Sequence, residues 1–176
     1  MSRVDVRSRV DEALPLGVKE FYFTGGEPFL HPEMLEILED TLAHGPGTVL
    51  TNGTLFTPPR LERLRAMGDA SRYALELRVS LDGYRAEDHD AIRGAGAFAR
   101  TLEGLRQCEA YGLLPIVTMT QNTDDCSECI PRSEMPGILT GVILVATRQH
   151  KPGYPVLVHN FFVRHQSRSE RSFAMG

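Results

Sequence analysis

Along the first two thirds of the chain, short apolar runs alternate with longer segments in which apolar residues recur every three or four positions. The run EFYFT at residues 20–24 is rich in aromatic side chains and lies between glycines, which predicts a β-strand. Residues 32–44 repeat leucine at helical spacing, at Leu35, Leu38 and Leu42, which predicts an amphipathic helix. A strand followed by a helix is therefore the first predicted unit.

The same unit recurs, and a fourth strand ends the series. The later predicted strands cover residues 48–51, 75–81 and 114–120, and the later helices have apolar stripes at Leu61, Leu64 and Met67 and at Phe98, Leu102, Leu105 and Cys108. The four strands begin roughly 30 to 40 residues apart, which is the spacing of βα units. Such units require parallel strands with right-handed crossovers, so the pattern predicts an α/β fold with a parallel sheet or barrel.

The start and the length of this pattern predict an incomplete barrel. Residues 4–16 have helical spacing and would form a helix ahead of the first visible strand, which implies a further strand upstream. A complete eight-fold barrel takes about 250 residues, whereas the four predicted units occupy only about 120. We therefore expect a parallel partial (β/α) barrel that is an interior slice of something larger.

The character of the chain changes from residue 122 onward, which divides it into a barrel part at residues 1–121 and a tail at residues 122–176. The tail holds four of the eleven prolines, half of the histidines and two of the three cysteines. It shows no helical stripe after its apolar run at residues 141–146, and residues 166–172 have a composition typical of disorder. A loosely packed extension, a different module and a reading frame that has departed from its ancestral one all agree with this composition.

Composition and charge narrow the classes of function. Positive and negative side chains are interspersed along the 176 residues, the net charge is -4, and there is no basic stripe. Nucleic acid is therefore not an expected partner. The longest apolar run, residues 138–146, is too short for a membrane-spanning helix, which needs roughly 20 residues. The polar N-terminal segment lacks the apolar stretch of a secretory signal, and the number of cysteines is odd. We therefore expect a cytoplasmic protein without a membrane partner.

Polar and glycine-rich residues follow the predicted strands, at the edge where a parallel α/β protein binds its ligand. They are Thr24, Gly25, Gly26 and Glu27 after the first strand, Thr51, Asn52, Gly53 and Thr54 after the second, Ser80, Asp82 and Gly83 at the third, and Thr118 and Thr120 on the fourth. All four groups would open onto one rim. We therefore expect the functional site at this rim.

Two of these groups offer complementary chemistry. Gly25 and Gly26 lack Cβ atoms, so bare backbone can approach a ligand, and they permit a positive φ. With the carboxylate of Glu27 beside them, this site suits a cationic amino group. Ser80 and Asp82, two residues apart on one strand, would point to one face and could hold a carboxylate, a ribose or a backbone partner. Taken singly, the glycine pair is also explained by a tight turn, and the other pair by a helix cap.

Four segments, FYFTGGEPFLHPEM, VLTNGT, LRVSLDG and HDAIRGAGAF, together resemble the core domain of radical S-adenosylmethionine (SAM) enzymes, in particular the branches that include peptide and sulfatase maturases. The resemblance covers residues 4–121. It implies a partial (β/α)6 barrel in which a [4Fe-4S] cluster binds and reduces SAM. It also implies cleavage to methionine and a 5′-deoxyadenosyl radical, which abstracts hydrogen from a peptide or small-molecule substrate, with a ferredoxin or flavodoxin as the electron donor.

Carried over by position, the resemblance assigns roles to single residues. The predicted cofactor-binding residues are Gly25, Gly26, Glu27, Thr51, Asn52, Ser80 and Asp82. The glycine pair and Glu27 would contact the methionyl amino group of SAM, and Ser80 would contact its carboxylate or ribose. Thr51 and Asn52 would line the cavity near SAM or the substrate.

One defining feature of the family is absent from the sequence. The C-x3-C-x2-C run whose thiolates hold the cluster does not occur, and no cysteine precedes Cys108. We therefore expect that this chain cannot hold the cluster, and we interpret its start as a truncation or a misplaced start. The leading hypothesis is a fragment of a radical SAM enzyme that keeps much of the SAM-facing rim. The alternatives are a non-catalytic α/β module with a cavity for a SAM-like ligand, and a product without stable function.

Other motifs have more ordinary explanations. Cys126 and Cys129 have the C-x2-C spacing of half a zinc site, but the tail histidines follow no standard spacing, so incidental thiols are the preferred interpretation. Cys108 is expected in the core, and residues 93–98 are expected to form a loop between helices rather than a dinucleotide site. A capping or solvent-exposed role is expected for His31, His44 and His89, and a solvated helix face for Glu36, Glu39 and Asp40.

Overall fold

A computed structural model describes residues 1–83, 85–121, 143–148 and 158–161 of the chain. Within these residues the strands of one sheet run in chain order: β1 (Phe21–Phe23), β2 (Gly47–Thr51), β3 (Leu75–Leu81), β4 (Ile116–Gln121), β5 (Ile143–Arg148) and β6 (Val158–Phe161). Strands β1 to β5 pair in parallel, and β6 pairs antiparallel to β5. The predicted parallel α/β sheet is confirmed, with an antiparallel strand beside β5.

One α-helix precedes β1 along the chain, and the others described lie between the parallel strands β1 to β4. The α-helices are α1 (Arg3–Ala13), α2 (Met34–Leu42), α3 (Pro58–Ala70), α4 (Ala86–Arg93) and α5 (Ala97–Ala110). Parallel neighbours cannot be joined by a tight hairpin, so α2, α3 and the α4–α5 pair form the crossovers from β1 to β4. In the part of the chain that the structure describes, no helix is long and apolar enough to cross a membrane.

The two faces of the sheet differ, because successive strand residues point to opposite sides. On one face Val49, Val79 and Val117 are fully buried and belong to the same core as the leucines of α2, α3 and α5. The other face, which we call the open face, carries Tyr22, Thr48, Leu50, Glu76, Arg78 and Ser80. Tyr22 on this face is 52% exposed. This division agrees with a partial barrel whose interior is the open face.

The predicted helical stripes are confirmed by burial. The buried members are Leu38, Leu42, Leu61, Leu64, Met67, Leu102, Leu105 and Cys108. Burial of each large apolar side chain contributes about 1.5–3 kcal/mol, so these stripes hold the helices to the sheet. Cys108 is a core residue, as predicted.

The acidic residues of α2 lie on a partly exposed helix face, where they form ion pairs with the neighbouring helices. Arg63 of α3 donates to Glu36 at 2.6 Å and to Glu39 at 2.8 Å, and Arg3 of α1 donates to both carboxylate oxygens of Asp40 at 2.7 and 2.8 Å. Hydrogen bonds from these guanidinium groups lower the pKa of the Glu36 and Asp40 carboxyls. The pairs join α2 to α1 and α3, and their members lie 24 to 37 residues apart in sequence, so they left no local signal.

The sheet continues past residue 121, where the sequence suggested a boundary. The backbone of β5 pairs with that of β4 over six residues, and β5 lies in the tail for which no architecture was predicted. The C-x2-C pair Cys126 and Cys129 and the polar residues 166–172 lie outside the described residues. The parallel part of the sheet therefore includes a strand from the predicted tail.

Candidate functional site

The exit of β1 presents bare backbone. Gly25 and Gly26 are exposed, neither has a positive φ, and a Cβ built on either would meet no heavy atom within 4 Å. The freedom to adopt a positive φ, noted from the sequence, is therefore not used. Neither conformation nor packing within the described residues requires glycine here, and the main chain is open to close approach by a ligand.

Glu27 joins the exits of β1 and β2. The residue is buried, at 9% exposure. Its Oε1 accepts the backbone N–H of Phe29 at 3.0 Å, and its Oε2 accepts that of Asn52 at 2.7 Å. The hydroxyl of Thr51 lies 2.8 and 2.9 Å from the two oxygens and donates to them. The carboxylate thus takes hydrogen bonds from three groups on two loops.

The loop after β2 is also fixed from within. Thr51 is 3% exposed, and its Oγ1 accepts the N–H of Gly53 at 3.1 Å. Oδ1 of Asn52 accepts the N–H and the hydroxyl of Thr54 at 2.9 and 2.7 Å, which forms an Asx turn. Gly53 has a φ of +73°, and a Cβ there would lie 2.9 Å from Val79 Cγ1, so the position requires glycine. The chain therefore turns tightly at Asn52 and Gly53.

Helix α5 supports this loop from another side. Thr101 donates its hydroxyl to the carbonyl oxygen of Asn52 at 2.9 Å. A Cβ on Gly104 would lie 1.9 Å from the carbonyl oxygen of Gly53, so the close contact of helix and loop depends on glycine. Neither Thr101 nor Gly104 was identified from the sequence. Their small size beside the apolar stripe of the helix is the one signal that points to them.

Aromatic and cationic side chains hold the same two loops at a second point. The rings of Phe29 and Phe56 meet edge to face with centroids 5.5 Å apart. Arg60, in the first turn of α3, donates to the carbonyl oxygens of Leu55 and Phe29, and its guanidinium lies 5.2 Å from the centroid of the Phe29 ring. The contacts of Phe29 with Phe56 and Arg60 were also not predicted, because these partners are far from Phe29 in sequence.

Ser80 and Asp82 lie in different settings. Ser80 is half-buried within β3, on the open face and in register with Thr118 of β4. Asp82 follows the end of β3, where strand alternation no longer applies, and its carboxylate accepts a hydrogen bond from Arg93 of α4. Its backbone N–H donates to Nδ1 of His89 at 3.0 Å. Asp82 therefore fixes the turn into α4, whereas Ser80 lies on the open face.

His89 is buried, which corrects the prediction of a capping or solvent-exposed role. It is 1% exposed and packs edge to face against Phe98, with ring centroids 5.9 Å apart. Burial lowers the pKa of the imidazole, and Nδ1 accepts the N–H of Asp82, so the ring is neutral. His31 lies just ahead of α2, where it is partly exposed and its Nδ1 accepts the N–H of Glu33 at 3.1 Å.

The glycine-containing segment at residues 93–98 connects two helices, as predicted, and residues 94–96 form the loop itself. Gly94 and Gly96 have φ values of +94° and +74°. The carboxylate of Asp90 accepts the N–H of Phe98 at 2.8 Å and that of Gly96 at 2.7 Å, and these hydrogen bonds lower its pKa. The segment therefore ends α4 and begins α5.

The predicted site residues thus lie along one edge of the sheet, in two sets. Direct hydrogen bonds connect Glu27, Thr51 and Asn52, and the glycine pair immediately precedes Glu27. Ser80 and Asp82 lie at the end of the adjacent parallel strand, so all seven residues belong to the carboxyl ends of β1, β2 and β3. We call this edge the rim.

Known relatives share part of their length with this chain. The AdoMet-dependent heme synthase of Methanosarcina barkeri is 44% identical over 98 residues, which cover 54% of this chain and 27% of the relative. The PqqA peptide cyclase of Ruegeria pomeroyi is 33% identical over 127 residues, which cover 68% of this chain and 32% of the relative. The chain thus spans 27% to 32% of the length of these curated relatives.

A solved structure and a family model agree with these relatives. The crystal structure of Streptococcus suis SuiB bound to S-adenosylmethionine has a TM-score of 0.66 at 15% identity, over 92% of this chain and 37% of that chain, which shows the same fold. The model of the radical SAM superfamily matches residues 1–125, where the sequence motifs lie. With this match over more than half of its length, the chain belongs to the radical SAM superfamily.

Proposed function

We propose that this chain provides the SAM-binding rim of a radical SAM enzyme. Members of the superfamily use SAM together with a [4Fe-4S] cluster. The observation that carries the proposal is the pair Gly25 and Gly26, two exposed glycines at a strand exit that neither conformation nor packing in the described residues explains. A ligand that lies against the bare backbone accounts for both.

The rim suits the methionyl end of SAM. Backbone carbonyl oxygens at Gly25 and Gly26 can accept hydrogen bonds from an ammonium group, which has three donors. Among the described residues, Glu27 takes hydrogen bonds only from uncharged groups, so its negative charge favours a cationic ligand nearby. The hydroxyl of Ser80 can donate to the carboxylate or the ribose. When bound, SAM supplies the adenosyl group on which radical chemistry in this superfamily depends.

The described residues do not fit a [4Fe-4S] cluster. No group of three or more His, Cys, Asp or Glu side chains among them is arranged to hold a metal ion. Cys108 is fully buried in α5, and burial raises the pKa of its thiol to about 12, whereas a cluster ligand is a thiolate. We therefore assign the binding of SAM, and not its reduction, to the described residues.

A peptide is the substrate class that we propose for the enzyme to which this rim belongs. The similar Ruegeria protein is a peptide cyclase by name. On the open face, Nε of Arg78 lies 2.6 Å from Glu76, and its guanidinium lies 5.7 Å from the centroid of the Tyr22 ring. These side chains offer hydrogen-bonding and aromatic contacts to a peptide. A small-molecule substrate, a ferredoxin or flavodoxin donor and a cytoplasmic location stay predictions.

Substitution of Gly26 tests the proposed function. Gly26→Val places a branched side chain over the bare backbone, and we expect SAM affinity of the 176-residue chain to fall at least about tenfold in isothermal titration calorimetry. Gly68→Val in α3 is the matched control, because Gly68 also lacks a positive φ and a Cβ there meets no heavy atom within 4 Å. Unchanged affinity in Gly26→Val, or no SAM binding by the wild-type chain, would contradict the proposal.

A further inference from the structure

We propose that Glu27 is a positioning residue for SAM: it sets the spacing of the two loops that form the rim and leaves the methionyl ammonium to the backbone of Gly25 and Gly26. The inference rests on the proposed function and differs from the direct contact that the family resemblance implied for Glu27. It follows from where the carboxylate finds its hydrogen bonds.

The carboxylate of Glu27 is already engaged inside the fold. A carboxylate has about four positions for hydrogen-bond donors. Three donors, from Phe29, Thr51 and Asn52, make four contacts with the two oxygens at 2.7 to 3.0 Å, because the Thr51 hydroxyl lies close to both. To reach a ligand outside, the buried side chain would have to release donors that have no replacement, which is costly. The backbone of the adjacent glycine pair is exposed and needs no such movement.

The donors come from both loops of the rim. Phe29 follows the glycine pair on the loop after β1, whereas Thr51 and Asn52 end β2 and begin the next loop. The carboxylate of Glu27 therefore sets the distance between the bare backbone of Gly25 and Gly26 and the loop after β2. The family resemblance places SAM near that loop. Hydrogen bonds to an ionised acceptor are roughly twice as strong as those between neutral groups, so this link is a firm one.

The link extends beyond its direct partners. The Oγ1 atom of Thr51, which donates to Glu27, also accepts the N–H of Gly53. Loss of the carboxylate would thus remove the hydrogen bonds that tie the turn after β2 to the loop after β1, while Thr101 of α5 still holds the carbonyl oxygen of Asn52. The contact between Phe29 and Phe56 holds the same loops at another point, so we expect variants at Glu27 or Thr51 to fold with a misplaced rim.

Thr51 provides the first test, because its buried hydroxyl bonds to Glu27 and Gly53 and is not available to a ligand outside. Thr51→Val removes the bond to Glu27 at nearly constant shape, and we expect SAM to bind the 176-residue chain about tenfold more weakly. Thr51→Ser retains the hydroxyl and should restore affinity to within about twofold of wild type. Thr41→Val in α2 is the matched control, since Thr41 is also buried and loses one hydrogen bond, to the carbonyl oxygen of Ile37.

A double-mutant cycle gives the second test. Glu27→Gln removes the charge and sets an amide N–H against one of the backbone donors. If Thr51 acts on SAM through Glu27, then adding Thr51→Val to Glu27→Gln leaves the affinity within about twofold of that of Glu27→Gln alone, whereas independent roles multiply the two losses. Calorimetric titration measures the affinities, and urea unfolding reports whether each variant is folded.

The outcomes separate the two proposals. Multiplied losses in the double variant, or Thr51→Val with the affinity of wild type, overturn the positioning role and leave the proposed function intact. Absence of SAM binding by the wild-type chain overturns the proposed function and the positioning role with it. If Glu27→Gln fails to fold, the comparison of Thr51→Val with Thr51→Ser decides alone.

Discussion

Each ionisable side chain at the rim has a defined partner within the fold. Glu27 accepts hydrogen bonds from the two loops, Asp82 pairs with Arg93, and the neutral ring of His89 accepts the N–H of Asp82. All three side chains are buried, at 9%, 8% and 1% exposure. The rim is therefore held in place before a ligand binds, which is what precise recognition of a small molecule requires.

His89 makes the stability of the fold depend on pH. Burial lowers the pKa of its imidazole below the ordinary value of 6.5, so the unfolded chain takes up the proton first as the pH falls. The free energy of unfolding is therefore at its full value above pH 6.5 and decreases as the pH falls through the lowered pKa. Urea unfolding at about pH 7.5 and about pH 5.5 should show this decrease.

Two histidine variants check this assignment. His89→Gln should lower stability at neutral pH and flatten the dependence between the two pH values, because the titrating group is gone. His44→Gln, at an exposed position, should keep the dependence of wild type. If wild type and His89→Gln lose stability equally on acidification, His89 is not the group responsible.

At the scale of single residues, the sequence predicted which side chains lie at the rim. It did not predict their hydrogen-bond partners within the fold. Glu27 follows two glycines at a strand exit, which is a local signal. Its partners Thr51 and Asn52 lie 24 and 25 residues away, so no local pattern reports the bonds. His89 lies among charged residues, so the sequence predicts exposure. The ring of Phe98 that packs against it belongs to the next helix, and no local pattern reports that contact.

At the scale of elements, α5 and the loop after β2 depend on each other. Gly104 allows the helix to touch the backbone of Gly53, and Thr101 donates to Asn52 at 2.9 Å. Leu102, which directly follows Thr101 in the same helix, is buried in the core. One helix therefore links the hydrophobic core to the rim.

Alanine at two helical glycines tests this contact. Gly104→Ala should destabilise the chain by about 1–3 kcal/mol, because its Cβ would lie 1.9 Å from the carbonyl oxygen of Gly53. Gly68→Ala in α3 should instead stabilise it by up to about 1 kcal/mol, since a Cβ there meets open space and alanine favours helix. Thermal and urea unfolding measure both changes. Equal effects of the two substitutions would show that helix and loop are not in close contact.

The order and type of the elements were predictable, and their ends were less so. The apolar stripes of α2, α3 and α5 and the alternation in β3 are strong periodic signals. The predicted helix at residues 32–44 is observed only at Met34–Leu42, and the Nδ1 atom of His31 accepts the N–H of Glu33 just ahead of it. Such ends depend on side-chain hydrogen bonds that periodicity does not report.

At the scale of the molecule, the sheet has a covered face and an open face. Helices bury the valines of one face, while Tyr22 on the other is largely exposed. Parallel strand order then brings the ends of β1, β2 and β3 to one edge, so the rim borders the open face. The spacing of the motifs predicted this edge. The ladder between β4 and β5 was not predictable, because the sequence of the tail carries no clear periodic signal.

Hydrogen–deuterium exchange of the 176-residue chain, with and without SAM, tests most directly whether the rim is the SAM site. We expect SAM to slow exchange at residues 24–27, 51–54 and 80–83 and to leave α1 unchanged, because backbone amides at the rim would be covered or held more firmly. Protection confined to another part of the chain, or no protection at the three strand ends under saturating SAM, would contradict this account.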